Sequence, residues 1–317
     1  MRRFLFSFAL LALVVSTFIS TPAQTPEAAV NHFKNAVKKS ARGDIDGAIE
    51  EYTRAITLSS RFEIRKQPAG NSATSFAESD AATEAIRVVD PFTANAYNNR
   101  GLARYKKGDY EGALGDFNEA LRIRPSLAVA YLNRAAAQRM TGDLPNALKD
   151  LDRAISLKKD FVEAYTNRGS LYHDLGREQE ALSDLNRAIK LNDNTAEAFY
   201  QRGFVHLALN NWEVSIKDFN RAVELSPGMA WAYQGRGTAL MKNRQMQQAI
   251  LDFNRALELN PNIVWGYFNR GLAKVFLGEE AEAQQDFDTC LKMRPDLKAQ
   301  LADKIELARH LRSMEKQ

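Results

Sequence analysis

The chain has 317 residues, 43 Lys and Arg against 39 Asp and Glu, 45% hydrophobic residues and a single cysteine, Cys290. One cysteine excludes an internal disulfide framework and a Cys-based metal site. The near balance of charge, with no Lys/Arg-rich run, lacks the electrostatic footprint of a nucleic-acid binder.

Residues 1–23 read as a signal peptide. Arg2 and Arg3 form a positive start, residues 4–19 are an apolar run interrupted only by Ser7, Ser16 and Thr17, and Thr21-Pro22-Ala23 offers small residues before Gln24. The run is short for a spanning helix. An exported protein is therefore expected, periplasmic or extracellular if the source is bacterial, with a membrane anchor as the lesser alternative. Membrane contact is expected only if this segment stays uncleaved.

Residues 29–62 resemble a worn copy of the unit that repeats from residue 94 onward. Gly43-Asp44-Ile45-Asp46-Gly47-Ala48-Ile49 matches Gly108-Asp109-Tyr110-Glu111-Gly112-Ala113-Leu114, but Asn35 and Ala36 stand where Arg100 and Gly101 do. Residues 63–93 break the pattern: Gln67-Pro68-Ala69-Gly70-Asn71-Ser72 is turn chemistry. They read as an insertion between repeats, partly loop.

From residue 94 the chain becomes periodic. Ala96-Tyr97-Asn98-Asn99-Arg100-Gly101 returns in recognisable form from Ala130, Ala164, Ala198, Ala232 and Gly266, each 34 residues after the last. Six copies result, at 94–127, 128–161, 162–195, 196–229, 230–263 and 264–297. A fixed period of this size marks a stacked repeat architecture. Within each copy, apolar residues recur at helical spacing in two runs, separated by turns such as Gly108-Asp109, Gly142-Asp143 and Gly176-Arg177. Pro125, Pro227, Pro261 and Pro295 close four of the copies. Each copy is therefore expected to be a helix, a turn, a second helix and a stop. Residues 298–317 carry Leu301, Ile305, Ala308 and Leu311 on one stripe, as expected of a helix that caps the apolar end of an array.

The residues that recur, Tyr97, Gly101, Ala113, Phe117, Ala120 and Pro125 in the first full copy, resemble the signature of the tetratricopeptide repeat family. The resemblance implies an all-α fold, an α-solenoid wound as a right-handed superhelix of helix-turn-helix repeats with a C-terminal capping helix. It also implies a scaffold that binds protein or peptide in a groove lined by the first helices.

One slot departs from the family's commonest pattern. Arginine precedes the glycine position in every copy, at Arg100, Arg134, Arg168, Arg202, Arg236 and Arg270. Sixteen residues on, each has an aspartate: Asp116, Asp150, Asp184, Asp218, Asp252 and Asp286. Folding the two helices antiparallel about the turn brings the members of each pair to the same height. A charge-assisted structural ion pair within each copy is expected, rather than a row of ligand-binding cations.

The slot before each arginine holds Asn99, Asn133, Asn167, Gln201, Gly235 and Asn269. An amide both donates and accepts, so this row suits either a peptide main chain or ties between neighbouring repeats; Gly235 interrupts it. Other inward slots become aromatic in the later copies, with Tyr200, Phe204, Trp231, Trp265, Phe268 and Phe276. These are candidate anchors for a partner's apolar side chains.

The four histidines lack metal-ligand spacing, and no nucleophile elbow or phosphate loop is present. No cofactor, metal or enzymatic activity is expected. The function expected is a protein- or peptide-binding scaffold, with a structural assembly subunit of an envelope complex, or a self-associating array, as the alternative. Sequence leaves the partner's identity and the oligomeric state open.

Overall fold

A computed structural model of the chain describes residues 26–66 and 91–315. The signal segment at 1–23 and most of the break at 63–93 lie outside the described residues. Those described form fifteen α-helices and one 3-10 turn, with no strand. The chain divides into two compact units, Met1–Asn167 and Arg168–Gln317.

In the first unit, α1 (Glu27–Ala41) and α2 (Ile45–Lys66) form the leading hairpin, α3 (Pro91–Lys107) and α4 (Tyr110–Ile123) the second, and α5 (Ala128–Thr141) and α6 (Leu144–Leu157) the third. The two helices of each hairpin pack on each other, and α2 on α3 and α4 on α5 join successive hairpins. The ends of the sequence break belong to helices: residues 63–66 complete α2, and Pro91 occupies the first turn of α3, where its missing N–H costs nothing. Phe92 packs on Phe33 with ring centroids 5.3 Å apart, and Thr93 Oγ1 donates to Ser59 Oγ at 3.0 Å. The leading hairpin is thus stacked on α3 as any repeat is stacked on the next.

α7 (Val162–Asp174) carries the division between the units. The second unit continues with α8 (Glu178–Leu191), α9 (Ala196–Ala208), α10 (Trp212–Leu225), α11 (Ala230–Lys242), α12 (Met246–Leu259), α13 (Val264–Leu277) and α14 (Glu280–Met293). A 3-10 turn at Pro295–Leu297 leads into α15 (Lys298–Glu315), which packs on α13. Leu301 and Ala308 are buried there with Phe268, Leu272 and Val275, and Ile305 is packed against them. The terminal helix covers the apolar flank that a seventh full copy would otherwise cover.

The hairpins form because each copy supplies a turn, and three of them add a side-chain cap. Gly43, Gly108, Gly142, Gly176 and Gly278 adopt φ between 71° and 91°, which glycine enters without a Cβ clash. In the other two copies Asn210 and Arg244 take this slot at φ 61° and 64°. For arginine that conformation costs about 1–2 kcal/mol. Asp44, Asp109 and Asp143 follow the glycine and accept from the backbone N–H three residues on, satisfying a donor that the helix leaves unpaired. Second helices end where the backbone turns extended. Arg124 does so before Pro125 (φ −132°, ψ 85°), as the proline ring requires. Lys158, with no proline after it, adopts nearly the same angles (φ −137°, ψ 97°). The bend therefore does not depend on the proline.

The core of each hairpin is built from small residues facing one large one. Ala96, Ala113 and Ala120 are fully buried, and so is Phe117. A Cβ on Gly101 would lie 2.7 Å from Phe117 Cε1, so the helices close to a distance that only glycine permits. Gly203, Gly237 and Gly271 meet Phe219, Phe253 and Phe287 in the same way. In the copy that has Ala135, the facing residue is the smaller Leu151. Cys290 occupies one of the alanine slots, fully buried as a free thiol, and burial pushes its pKa up. That is the behaviour of a small packing residue and not of a nucleophile.

Candidate functional site

The arginine and aspartate sixteen residues apart meet in all six copies. The shortest N–O distances are 2.7 Å for Arg100–Asp116, Arg134–Asp150 and Arg168–Asp184, and 2.6 Å for Arg202–Asp218 and Arg236–Asp252. Arg270 and Asp286 are in direct contact as well. The contacts are two-pronged through Nε and Nη2, the planar fork matched to a carboxylate. All six aspartates are buried. The hydrogen bonds it donates to Asp150 hold the Arg134 guanidinium above its ordinary pKa, and those to Asp252 do the same for Arg236.

The third corner of the guanidinium reaches the preceding hairpin. Arg134 Nη1 donates to Asn118 Oδ1 at 2.8 Å, Arg202 to Asn186 at 2.6 Å, Arg236 to Asn220 at 2.8 Å and Arg270 to Asn254 at 2.7 Å. Arg100 finds Thr53 Oγ1 at 3.1 Å instead. Each of these arginines also sits 5.3–5.5 Å from the centroid of the ring three residues before it: Tyr97, Tyr131, Phe199, Tyr233 or Tyr267. These five arginines are thus committed internally, each tying the two helices of its hairpin to the hairpin before it. The asparagines it reaches are visible in the sequence as a residue recurring two places after the aspartate.

The leading hairpin solves the same problem with other residues. Glu51, in the aspartate slot, is buried and takes His32 Nδ1 at 2.6 Å and Lys39 Nζ at 3.3 Å. The His32 hydrogen bond holds its carboxyl below the usual carboxylate range, against the opposing effect of burial.

The amide row divides. Asn99 and Asn133 are buried and belong to a chain in which Asn133 Nδ2 donates to Asn98 Oδ1 at 3.0 Å and Asn98 Nδ2 to Asn99 Oδ1 at 3.1 Å. Through Asn98 this chain joins two neighbouring repeats. Asn167 and Gln201 are half-buried; Gln201 Nε2 donates to Glu197 Oε1 at 2.6 Å. Asn269, also half-buried, donates through Nδ2 to Thr238 Oγ1 at 3.3 Å.

The aromatic residues divide too. Tyr200 and Phe268 are buried and so are not surface anchors. Tyr200 lies edge-on to Phe204 at 5.0 Å and burial pushes its phenol far up; Phe268 lies beneath α15 and edge-on to Trp265 at 5.1 Å. Phe204 is half-buried against Phe219 at 5.1 Å, and Phe276 is half-buried with the Arg244 guanidinium 5.4 Å from its centroid. The residues that reach the surface are Trp231, half-buried, and Trp265, 39% exposed. They occupy equivalent slots near the start of α11 and α13, which are neighbours in the second unit.

The candidate side chains that this face leaves partly in solvent are aromatic rings and neutral amides. Among the described residues no group of three His, Cys, Asp or Glu is placed to hold a metal ion. The arginines that would otherwise offer charge are already paired.

Profiles described as tetratricopeptide repeat match residues 94–127, 230–263, 196–229 and 266–297, and a profile described as TPR repeat matches 139–176 and 169–210. No curated protein sequence matches the chain. Among solved structures, a tetratricopeptide repeat protein from Parabacteroides merdae is 19% identical with a TM-score of 0.60, over 89% of this chain and 99% of that one. The pilF protein of Pseudomonas aeruginosa is 20% identical with a TM-score of 0.54, over 70% and 97%. A thermophilic TPR protein of Thermus thermophilus, TTC0263, is 21% identical with a TM-score of 0.51, over 57% and 98%. At these identities the structures speak for the fold, while the profiles, running through all six periodic copies and more than half of the sequence, speak for the family. The chain belongs to the tetratricopeptide repeat family.

Proposed function

We propose that this protein is an exported, non-enzymatic scaffold that captures an extended segment of a partner protein on the first-helix face of its second unit. One observation carries the reading: Trp231 and Trp265, a single period apart on adjacent first helices, keep aromatic surface in solvent although buried slots lie one turn away. Large aromatic side chains left accessible on a rigid element are the usual anchors of protein recognition. The amide-bearing residues of the same unit, Gln201 and Asn269, supply groups suited to a main chain. Export rests on residues 1–23. Among the described residues no helix is long and apolar enough to cross a membrane.

The test is a random-peptide selection on the immobilised chain, followed by titration of the selected peptide against the wild type and the Trp231→Ala/Trp265→Ala double variant. The expected result is a selected peptide whose affinity falls at least about 100-fold in the double variant, in line with the loss of two aromatic anchors. A peptide that binds both proteins equally removes the basis of the reading. Sedimentation of the wild type decides the alternative of a self-associating array, which requires mass to rise with concentration.

A further inference from the structure

The slot four residues after each paired arginine lies one turn further along the first helix and holds Arg104, Gln138, Tyr172, His206, Leu240 and Lys274. Where it holds a permanent cation, that cation is seated on the buried aspartate of its own copy. Arg104 Nη1 lies 3.1 Å from Asp116 Oδ2, and Lys274 Nζ lies 2.8 Å from Asp286 Oδ2. Where it holds leucine, the side chain of Leu240 is buried. His206 is the member of this row whose charge changes between about pH 5 and 8, and it follows neither pattern. Its Nδ1 is enclosed by the protein and has no hydrogen-bond partner. The residue as a whole is only half-buried, so the ring takes up a proton from solvent without any helix moving.

With its hydrogen on Nε2, the neutral ring presents only a lone pair at the enclosed Nδ1. The cation carries hydrogen on both nitrogens, which places an N–H and a share of positive charge where no acceptor stands. The charged groups that act on the ring are Asp218, on α10, and Arg202, one turn before it on α9; α8 and α11, which also pack on α9, bring none. Asp218 favours the cation and Arg202 opposes it, and these two already hold each other in a two-pronged contact. Burial therefore decides, and pushes the pKa of His206 below its ordinary value. A base depressed in this way contributes stability that is present above its unfolded-state pKa, about 6.5. That stability is lost as the pH falls through the lower folded-state value.

We propose that the α9–α10 hairpin is an acid-sensitive joint of the second unit, with His206 as its proton acceptor. Proton uptake loosens α9 from α10 at the level of the Arg202–Asp218 pair. The hairpins α11–α12 and α13–α14, with Leu240 and Lys274 in this slot, do not respond. The inference does not depend on the peptide reading.

The test uses the full chain and the variant His206→Leu, which installs the residue that the next copy already carries. An NMR titration of the histidine ring protons, with the His206 signal identified by its absence from the variant, should place His206 below the ordinary histidine value of about 6.5. Hydrogen exchange, corrected for intrinsic rates, should show α9 and α10 of the wild type losing at least about 3-fold in protection between about pH 7.5 and about pH 5.5. The same helices of His206→Leu should lose less, while α11 to α14 should change equally in the two proteins.

If His206→Leu proves poorly folded, His206→Gln, with the residue of the second copy, takes its place, and the titration of the wild type decides in either case. A His206 that titrates at or above the ordinary value overturns the proposal. It would mean that the protonated ring turns onto Asp218 as Arg104 and Lys274 do on their aspartates, or that an enclosed water accepts from Nδ1. An equal loss of protection in wild type and variant overturns it as well.

Discussion

Asp218→Ala is expected to destabilise the second unit by about 3 kcal/mol. The carboxylate is buried, accepts from Arg202 Nε at 2.8 Å and Nη2 at 2.6 Å, and holds a guanidinium that also binds Asn186 and stacks on Phe199. Removing it leaves a cation whose own side chain is 21% exposed and can reach only part of its lost solvation from water, which keeps the effect below the upper range for a fully enclosed pair. The cost comes from stranding one partner, not from losing a large net attraction. The double variant Arg202→Leu/Asp218→Leu is accordingly expected to lie within about 1 kcal/mol of the wild type, because no charge is left unpaired and Asn186 is already exposed to water. Urea denaturation followed by helical signal measures both. A single variant as stable as the wild type would mean that the six pairs are ornament on a fold held by apolar packing alone.

Gly237→Ala is expected to cost about 2 kcal/mol, although alanine is the better helix former by about 1 kcal/mol. The added Cβ would fall 2.7, 2.9 and 3.1 Å from three ring atoms of Phe253, which is itself fully buried and has no room to withdraw. The same chain contains the remedy, since the copy with Ala135 has Leu151 opposite. Gly237→Ala combined with Phe253→Leu should therefore be more stable than the sum of the two single changes by about 2 kcal/mol. Leucine is not a remedy everywhere. A Cβ on Gly169 would also crowd the Ala181 carbonyl at 3.2 Å, and that copy keeps glycine opposite Leu185. At Gly237 the three nearest atoms all belong to the ring, which is why the rescue is expected there. Additive effects would show that the hairpin separates to admit a methyl group.

The period made the fold legible. A 34-residue spacing of small and large residues has one physical reading, paired helices in close contact, and the small-against-large rule is visible in the glycine–phenylalanine and alanine–leucine pairs. The Arg–Asp contact follows from folding two helices of known rise about a turn, so spacing alone brought the partners level. Which side chains would be spent inside was less accessible. Asn99 and Asn133 occupy the slot of Asn269, yet Asn98 lies beside the first two and offers them a partner within the stack, while Asn269 meets Thr238. Tyr200 and Phe268 sit on the same face of their helices as the two tryptophans do on theirs, and one turn of helix decides that they pack under a neighbour while the tryptophans do not. The turn residues Asn210 and Arg244 are a milder case, since the five glycines establish the backbone conformation that these two must also adopt.

Hydrogen exchange of the whole chain, with and without the selected peptide, tests the placement of the binding face most directly. Protection gained on α9, α11 and α13, around Gln201, Trp231 and Trp265, with α10, α12 and α14 unchanged, is the result predicted. Protection confined to the second helices or to α15 would put the partner on another surface, and the function proposed for the first-helix face would be wrong.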